Sequence, residues 1–250
     1  MRRLLAALPL MLLLLSPAGL AEDTPPTGSA VFTPAQRTEI VRILREALKS
    51  DPSILRDAVG ALRADEGIRH DAAARAAIGS SSEALLHDPG DPVAGNPTGD
   101  VTVVEFFDIR CPYCRVMQPV LEQLVREDRG VRLVLKDFPV LGPESKLGAR
   151  ALLAAQRQGG YLKLQEALMR SHPPTAESLR EEAATLGLDW GRLQHDMADP
   201  AIQRKIDANL ALARALGVQG TPAFVVDGKL IEGAVEISDL QHAIGEARGK

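Results

Sequence analysis

A pair of cysteines between two different hydrophobic patterns most constrains the fold of this chain. Cys111-Pro112-Tyr113-Cys114 contains both cysteines of the 250-residue chain, in C-x-x-C spacing. Residues 101–108, just before it, are mostly β-branched and aromatic, which is typical of a buried strand. The residues after it are apolar at helical spacing. The pair is therefore predicted to lie at a strand-to-helix turn, with Cys111 at the helix N-terminus.

That position favours redox chemistry over two other uses of a cysteine pair. Unpaired N–H groups and the helix dipole stabilise an anion there, and the thiolate is the nucleophile of disulfide exchange. A structural disulfide is an alternative, but closing so short a loop removes little chain entropy. Zinc is another, but it needs about four ligands. The chain has no third cysteine, and its five histidines are scattered.

The N-terminus has the pattern of an export signal. Arg2 and Arg3 precede an apolar run over residues 4–15, and small residues lead to Ala21. The pattern predicts a signal peptide over residues 1–21, cleaved near Ala21, and an oxidising, periplasmic location. The run is shorter than the roughly 20 residues that span a bilayer, although an uncleaved anchor remains an alternative. With no further cysteine, the pair is expected to act on other proteins.

The net charge argues against negatively charged partners. The formal charge is −4, which argues against nucleic acid or an anionic membrane as the partner. No metal site and no cofactor are predicted.

Residues 22–82 are predicted to form a helical oligomerisation region. Thr33, Pro34 and Gln36 make a capping box with proline at the first helical position, and Asp51 followed by proline repeats the start signal. So few residues bury little core alone, so stripes from several subunits are expected to pack together. The alternatives are packing on the rest of the chain or a solvated stalk. The apolar stripe comprises Ile40, Val41, Leu44, Leu48, Ile54, Leu55, Val59 and Leu62.

Residues 83–250 have the pattern of an α/β domain. Residues 85–87 are predicted to form a short strand, 88–99 a loop and 131–137 a further strand. Residues 143–216 have helical periodicity, as expected for a helical insertion. Asp227-Gly228 then predicts a two-residue hairpin turn, and Ser238 with Gln241 predicts the cap of a last helix.

This order of elements resembles the DsbA-like thioredoxin family. With the export signal and the N-terminal helices, it is most similar to the ScsC/Com1-type branch of periplasmic disulfide isomerases and oxidoreductases. The resemblance implies a thioredoxin-like domain with a helical insertion, preceded by an N-terminal α-helical extension. The matching motifs are at residues 103–108, 111–114, 136–139, 141–143 and 220–224.

The resemblance implies a role for each residue of the C-x-x-C segment. Cys111 is expected to be the exposed attacking thiolate, and Cys114 the resolving thiol that releases a mixed disulfide. Pro112 stiffens the turn. Tyr113 brings no positive charge where strongly oxidising relatives carry a histidine, so a milder oxidant is expected.

Two further sites are implied. Glu105 shares a strand face with Val103 and Phe107 by period-2 alternation, and it is expected to be at least partly buried and to assist proton transfer at Cys114. The alternative is a glutamate that reaches water at the strand end. Thr221-Pro222 resembles the family's cis-proline loop, which faces the cysteines and offers backbone to an incoming peptide.

The expected function is a periplasmic thiol–disulfide isomerase of exported proteins that contain cysteines. A membrane-bound redox partner and a homo-oligomer are expected with it. One alternative is a monomeric DsbA-like oxidase. Another is a Cu(I)-binding copper-tolerance protein, since two soft thiolates suit Cu(I), although the five methionines are spread out.

Overall fold

The computed structural model describes residues 32–170 and 174–249. The predicted signal peptide at residues 1–21 and His172 lie outside the described residues. Contacts between Cα atoms divide the chain into two compact units, Met1–Gly60 and Ala61–Lys250. The predicted boundary at residues 82 and 83 stays a prediction.

The described part of the first unit, residues 32–60, is largely helical. Helix α1 (Pro34–Ser50) begins at the predicted capping box, in which the Gln36 amide donates to Thr33 Oγ1 (3.3 Å) and the Thr33 amide donates to Gln36 Oε1 (2.8 Å). Helix α2 (Ser53–Ser80) starts in this unit and continues into the second. None of residues 32–60 is buried, so the apolar stripe along these residues forms no core within the described part of the unit.

The second unit is built on one mixed sheet. Its order is β1-β3-β2-β4-β5, with β2 and β3 parallel and the other neighbours antiparallel. In the described part of the chain, the strands are β1 (Val93–Gly95), β2 (Val101–Phe107), β3 (Val131–Asp137), β4 (Ala223–Val226) and β5 (Lys229–Glu232).

Helices cover both faces of this sheet. Five consecutive helices between β3 and β4 confirm the predicted insertion, and the first of them packs its buried alanines against its neighbours. No helix within residues 32–170 and 174–249 is long and apolar enough to cross a membrane. The helices that follow α2 are α3 (Ser82–Leu86), α4 (Pro112–Glu127), α5 (Pro143–Gln156), α6 (Tyr161–Arg170), α7 (Ala176–Thr185), α8 (Trp190–Met197), α9 (Pro200–Ala215) and α10 (Ile237–Arg248).

Alternate residues of β2 enter two different cores. Val103 and Phe107 pack with residues of α4, α5 and α10, whereas Val104 and Phe106 pack with residues of α2, α3 and α9. The strand is therefore buried on both faces, as its continuous apolar pattern predicts. Glu105 lies on the same face as Val103 and Phe107.

Three local predictions are wrong. Residues 85–87 are not a strand, because Leu85 is buried as part of α3. The predicted loop over residues 88–99 contains β1, whose hydrogen bonds come from the distant strand β3. The last helix is capped by Glu236 with Asp239 and begins at Ile237. The hairpin turn is confirmed, since Asp227 (φ 45°) and Gly228 (φ 80°) both have the positive φ that it requires.

Candidate active site

The cysteine pair lies at the junction of β2 and α4. Cys111 is the N-cap residue of α4, and Pro112 takes the first helical position, where the missing N–H removes no hydrogen bond. Tyr113 is 62% exposed beside the pair. The predicted strand-to-helix position of the motif is therefore confirmed.

Both cysteines are buried, so the expected exposure of Cys111 is wrong. Cys111 is 4% exposed and Cys114 1%. The cover over Cys111 comes partly from a loop distant in sequence, because its thiol donates a hydrogen bond to the Thr221 carbonyl oxygen (Sγ to O, 3.2 Å). That contact is tertiary, and no local sequence pattern reports it.

The surroundings of Cys114 disfavour a negative charge on its sulfur. Burial raises the pKa of its thiol far above the ordinary value, and the charge of Glu105 raises that pKa further. Cys114 therefore needs a proton acceptor before it can attack a disulfide, because the thiolate is the reactive form.

Glu105 has the properties of such an acceptor. The side chain is 1% exposed, which confirms the predicted burial, and its Oε2 atom has no hydrogen-bond partner among residues 32–170 and 174–249. Burial raises the pKa of this carboxyl from 4.5 to about 8. A group with a pKa near neutrality exchanges protons readily at physiological pH.

The loop before β4 faces the cysteines. The Thr221–Pro222 peptide bond is cis, as predicted. The Pro222 carbonyl oxygen accepts a hydrogen bond from the Gly233 amide (2.9 Å) and the Thr221 carbonyl oxygen accepts one from Cys111. The loop is thus held on one side by the residue that follows β5 and on the other by the thiol.

Sequence reasoning gave Asp108 no role, although it organises the loops beside Cys111. This buried carboxylate accepts hydrogen bonds from the amide of Arg110 (2.8 Å) at Oδ1, and from those of Val140 (2.9 Å) and Leu141 (3.0 Å) at Oδ2. It therefore joins the end of β2 to the segment that follows β3. An acidic residue that ends an apolar strand just before the cysteines is the signal that could have identified it.

A second buried acid was also missed. Asp137 ends β3, its pKa is raised to about 7 by burial, and Tyr161 donates a hydrogen bond to its Oδ2 atom (2.8 Å). Asp137 and Glu105 lie on the same face of neighbouring strands, in a register that pairs Phe107 with Asp137.

The described residues offer no cluster of three or more His, Cys, Asp or Glu side chains that could hold a metal ion. The arrangement is instead that of thiol chemistry. A C-x-x-C pair at the start of the helix after a central strand, opposite a cis-proline loop, is the arrangement typical of the thioredoxin-like class of proteins.

The family comparison agrees with this class. Residues 102–245 match the DSBA-like thioredoxin domain family, and the chain belongs to that family.

Two curated relatives illustrate the range of the match. The chain is 31% identical over 182 residues to the Na(+)/H(+) antiporter NhaA 3 of Salinispora tropica, a match that covers 70% of this chain but only 28% of that protein. It is 26% identical over 151 residues to the thiol:disulfide interchange protein DsbA of Bordetella pertussis, covering 58% of this chain and 71% of DsbA. The chain thus spans little more than a quarter of the antiporter.

Solved structures extend the similarity towards the N-terminus. A thioredoxin-like oxidoreductase from Silicibacter pomeroyi is 46% identical, with a TM-score of 0.65 over 67% of this chain and 98% of that one. ScsC of Proteus mirabilis, in a transitional conformation, is 27% identical (TM-score 0.64; 88% of this chain, 98% of that one). BcfH of Salmonella enterica Typhimurium is 26% identical (TM-score 0.73; 86% and 97%).

Proposed function

We propose that the protein is a disulfide isomerase of exported proteins, in which N-terminal helices bring several C-x-x-C sites together. The observation that carries this proposal is the uncovered apolar stripe of α1 and the start of α2. Leu44 is 57% exposed and Leu55 59%. Exposed apolar area of this extent favours association with another surface, and the same stripe on a second copy is the simplest complement.

Cys111 would start the exchange. Its thiolate attacks one sulfur of a substrate disulfide, a new sulfur–sulfur bond forms, and the other substrate sulfur leaves as a thiolate. The N-terminus of α4 beside Cys111 supports the negative charge on the attacking sulfur.

Cys114 would end it. Its sulfur attacks Cys111 in the mixed disulfide, the Cys111–Cys114 bond forms, and the substrate leaves reduced. Isomerisation follows instead when the substrate's own thiolate attacks the mixed disulfide first, which restores reduced Cys111. Glu105 would take the proton that Cys114 loses, since it is buried close enough to raise the pKa of that thiol.

The substrate would bind across the exposed edge of the motif. Thr221 and Pro222 present backbone next to the Cys111 sulfur, and a peptide could add to it as a short strand. Pro112 and Tyr113 form the adjoining surface, where the exposed tyrosine ring offers apolar contact to an unfolded chain.

The location and partners of the enzyme belong to the same proposal. A periplasmic site fits the signal-like N-terminus. Isomerase activity requires reduced Cys111, so a membrane-bound reductant is the expected redox partner. The ScsC match covers 88% of the chain, a larger share than residues 83–250 supply, which supports a shared N-terminal extension.

Refolding of a scrambled multi-disulfide protein tests the proposal directly. The wild type should recover activity of the scrambled protein, and the double variant L44E/L55E should be about tenfold slower because it separates the sites. Both should reduce a small aromatic disulfide at the same rate. Lys49→Glu changes the net charge by the same two units, at an exposed position of the same helix whose neighbours lie outside the stripe, and it is the matched control.

Sedimentation of the same proteins tests assembly independently. The wild type and Lys49→Glu should sediment as the same oligomer, and L44E/L55E as a monomer. A monomeric wild type at micromolar concentration would contradict the oligomer and favour the monomeric oxidase instead.

The redox state of the cysteine pair in the cell tests the direction of electron flow. Trapping with a thiol-alkylating reagent should find Cys111 and Cys114 mostly reduced. A mostly oxidised pair would overturn the isomerase in favour of an oxidase.

A further inference from the structure

A cavity between α4 and α6 reaches Glu105 from the protein surface. Its volume is about 310 Å³, and Leu121 of α4 and Leu162 of α6 are among the apolar residues that line it. Glu105 lines the same cavity, although the residue is 1% exposed. The carboxyl group thus has a neighbouring space that the core does not fill.

Two buried side chains with polar groups line this cavity. Within the described residues, the Oε2 atom of Glu105 makes no hydrogen bond. Gln165 of α6 is 2% exposed, and its amide can both donate and accept hydrogen bonds. Native proteins rarely leave a buried atom such as Oε2 unpaired, because desolvating it without a hydrogen bond is unfavourable.

The size and polarity of the cavity suit water. A water molecule has a share of liquid volume of about 30 Å³ and needs two to four polar partners when it is buried. Glu105 and Gln165 supply such partners inside. Gln118, Glu122 and Glu166 supply polar groups in the same lining, and Glu122 is exposed to solvent. A hydrogen-bonded path can therefore run from the buried carboxyl to the surface.

We propose that this cavity holds water that carries the proton of Cys114 from Glu105 to solvent, and that Gln165 positions this water. Gln165 is a positioning residue and does not touch the reacting sulfurs. The inference rests on the proposed role of Glu105 and adds to it the route by which the proton leaves.

The proposed step combines a disulfide exchange with a proton transfer. As the Cys114 sulfur bonds to Cys111, its proton passes to the Glu105 carboxylate, and the electron pair of the broken bond leaves with the substrate sulfur. Glu105 then gives the proton to the cavity water and regains its charge. No oxidant or metal enters the step.

Two variants close the route from different sides. Gln165→Leu removes the inner polar partner, and Leu162→Trp fills the outer part of the cavity. Lys163→Trp is the control, because Lys163 is an exposed neighbour on the same helix that does not line the cavity. Circular dichroism and unfolding by urea establish that each variant folds.

Stopped-flow measurement of the resolution step gives the first readout. A cysteine-containing peptide is joined to Cys111 as a mixed disulfide, and its release is followed from pH 5 to 9. Both cavity variants should release the peptide about tenfold more slowly, with a shifted pH profile, because proton transfer by a positioned group contributes factors of this size or more. Lys163→Trp should match the wild type.

The exchange of the Glu105 carboxyl proton for deuterium gives a readout that does not depend on activity. The infrared C=O band of this protonated carboxyl, assigned by its loss in Glu105→Gln, should shift quickly in heavy water in the wild type and slowly in the cavity variants. The other titratable groups around this site are Cys114 and Glu122 on α4, Asp137 on β3, and Tyr161 and Glu166 on α6.

The outcomes separate this inference from the proposed function. If Glu105→Gln slows release but both cavity variants match the wild type in rate and deuterium exchange, the water route is wrong and the role of Glu105 stands. If Glu105→Gln leaves release unchanged, the role of Glu105 itself is wrong, and the route loses its purpose.

Discussion

The two compact units of this protein differ in the exposure of their apolar side chains. Residues 32–60 expose the leucine, isoleucine and valine residues of their helices, and none of these residues is buried. The unit from Ala61 onward buries its apolar residues on both faces of a sheet. Since burial of apolar surface drives folding, the second unit has its own source of stability, whereas residues 32–60 show no comparable buried core.

Charged side chains show the same contrast. In the first unit Arg42 pairs with Glu39 and Glu46 in solvent. In the second, Lys136 and Asp91 form an ion pair with both side chains 1% exposed, and Lys205 donates to the other oxygen of Asp91. The comparison teaches that buried apolar and charged contacts are concentrated in the sheet unit, whereas residues 32–60 expose theirs, which is why we propose that they form an interface.

Loss of the attacking sulfur is the largest effect expected. Cys111→Ser should lower disulfide exchange by about a thousandfold or more, because it removes the nucleophile. Its sedimentation should not change if chemistry and assembly belong to different units. A stopped-flow assay and sedimentation of one sample check both parts, and a change of assembly in this variant would contradict the division.

Removal of one partner should lower the free energy of unfolding much more for the buried ion pair than for the exposed one. Lys136→Met leaves Asp91 buried beside a single remaining cation and should lower the free energy of unfolding by about 3 to 5 kcal/mol. Arg42→Met, the exposed counterpart, should change it little. Urea denaturation of both variants measures this contrast, and equal losses would contradict it.

Shortening an apolar side chain should lower stability independently of protein concentration in the sheet unit, but in a concentration-dependent way in the helical unit. Leu152→Ala in α5, at a position that is 0% exposed, should lower the free energy of unfolding by about 2 to 5 kcal/mol at any concentration. Leu44→Ala should have a small effect in dilute protein and a larger one where the oligomer forms. A concentration series of thermal melts tests this. Identical behaviour of the two variants would mean that the stripe is not an interface.

The two raised carboxyl pKa values predict a pH effect confined to the sheet unit. The folded state keeps Glu105 protonated up to a pKa of about 8 and Asp137 up to about 7, whereas their ordinary values are 4.5 and 3.8. The folded state therefore binds more protons between these limits, so stability falls as the pH rises through this window. Each group contributes about 1.4 kcal/mol per pH unit.

Glu105→Gln isolates one of these contributions. Between pH 5 and 7 the variant should lose about half of the pH dependence that the two acids give the wild type, because only Asp137 still titrates with a raised pKa. Denaturation at a series of pH values measures the slope. An unchanged slope would show that Glu105 is already ionised in the folded protein.

The sequence predicted several elements of this structure correctly because neighbouring residues determine them. The capping box at Thr33 and the turn at Asp227 depend on neighbours within a few residues. The buried strand and the helix around the C-x-x-C segment follow from hydrophobic periodicity. Strand β1 escaped prediction because three residues carry little pattern, and its hydrogen bonds come from β3.

The features of the candidate site also divide into those set by neighbouring residues and those set by tertiary packing. The sequence by itself determined the position of Cys111 at a helix N-terminus and the burial of Glu105, since both follow from the alternation and spacing of adjacent residues. Only the tertiary structure decided that Thr221 covers the Cys111 thiol, that Asp108 joins two loops and that a cavity reaches Glu105. Those features depend on segments far apart in the chain that meet only when the sheet and its helices pack.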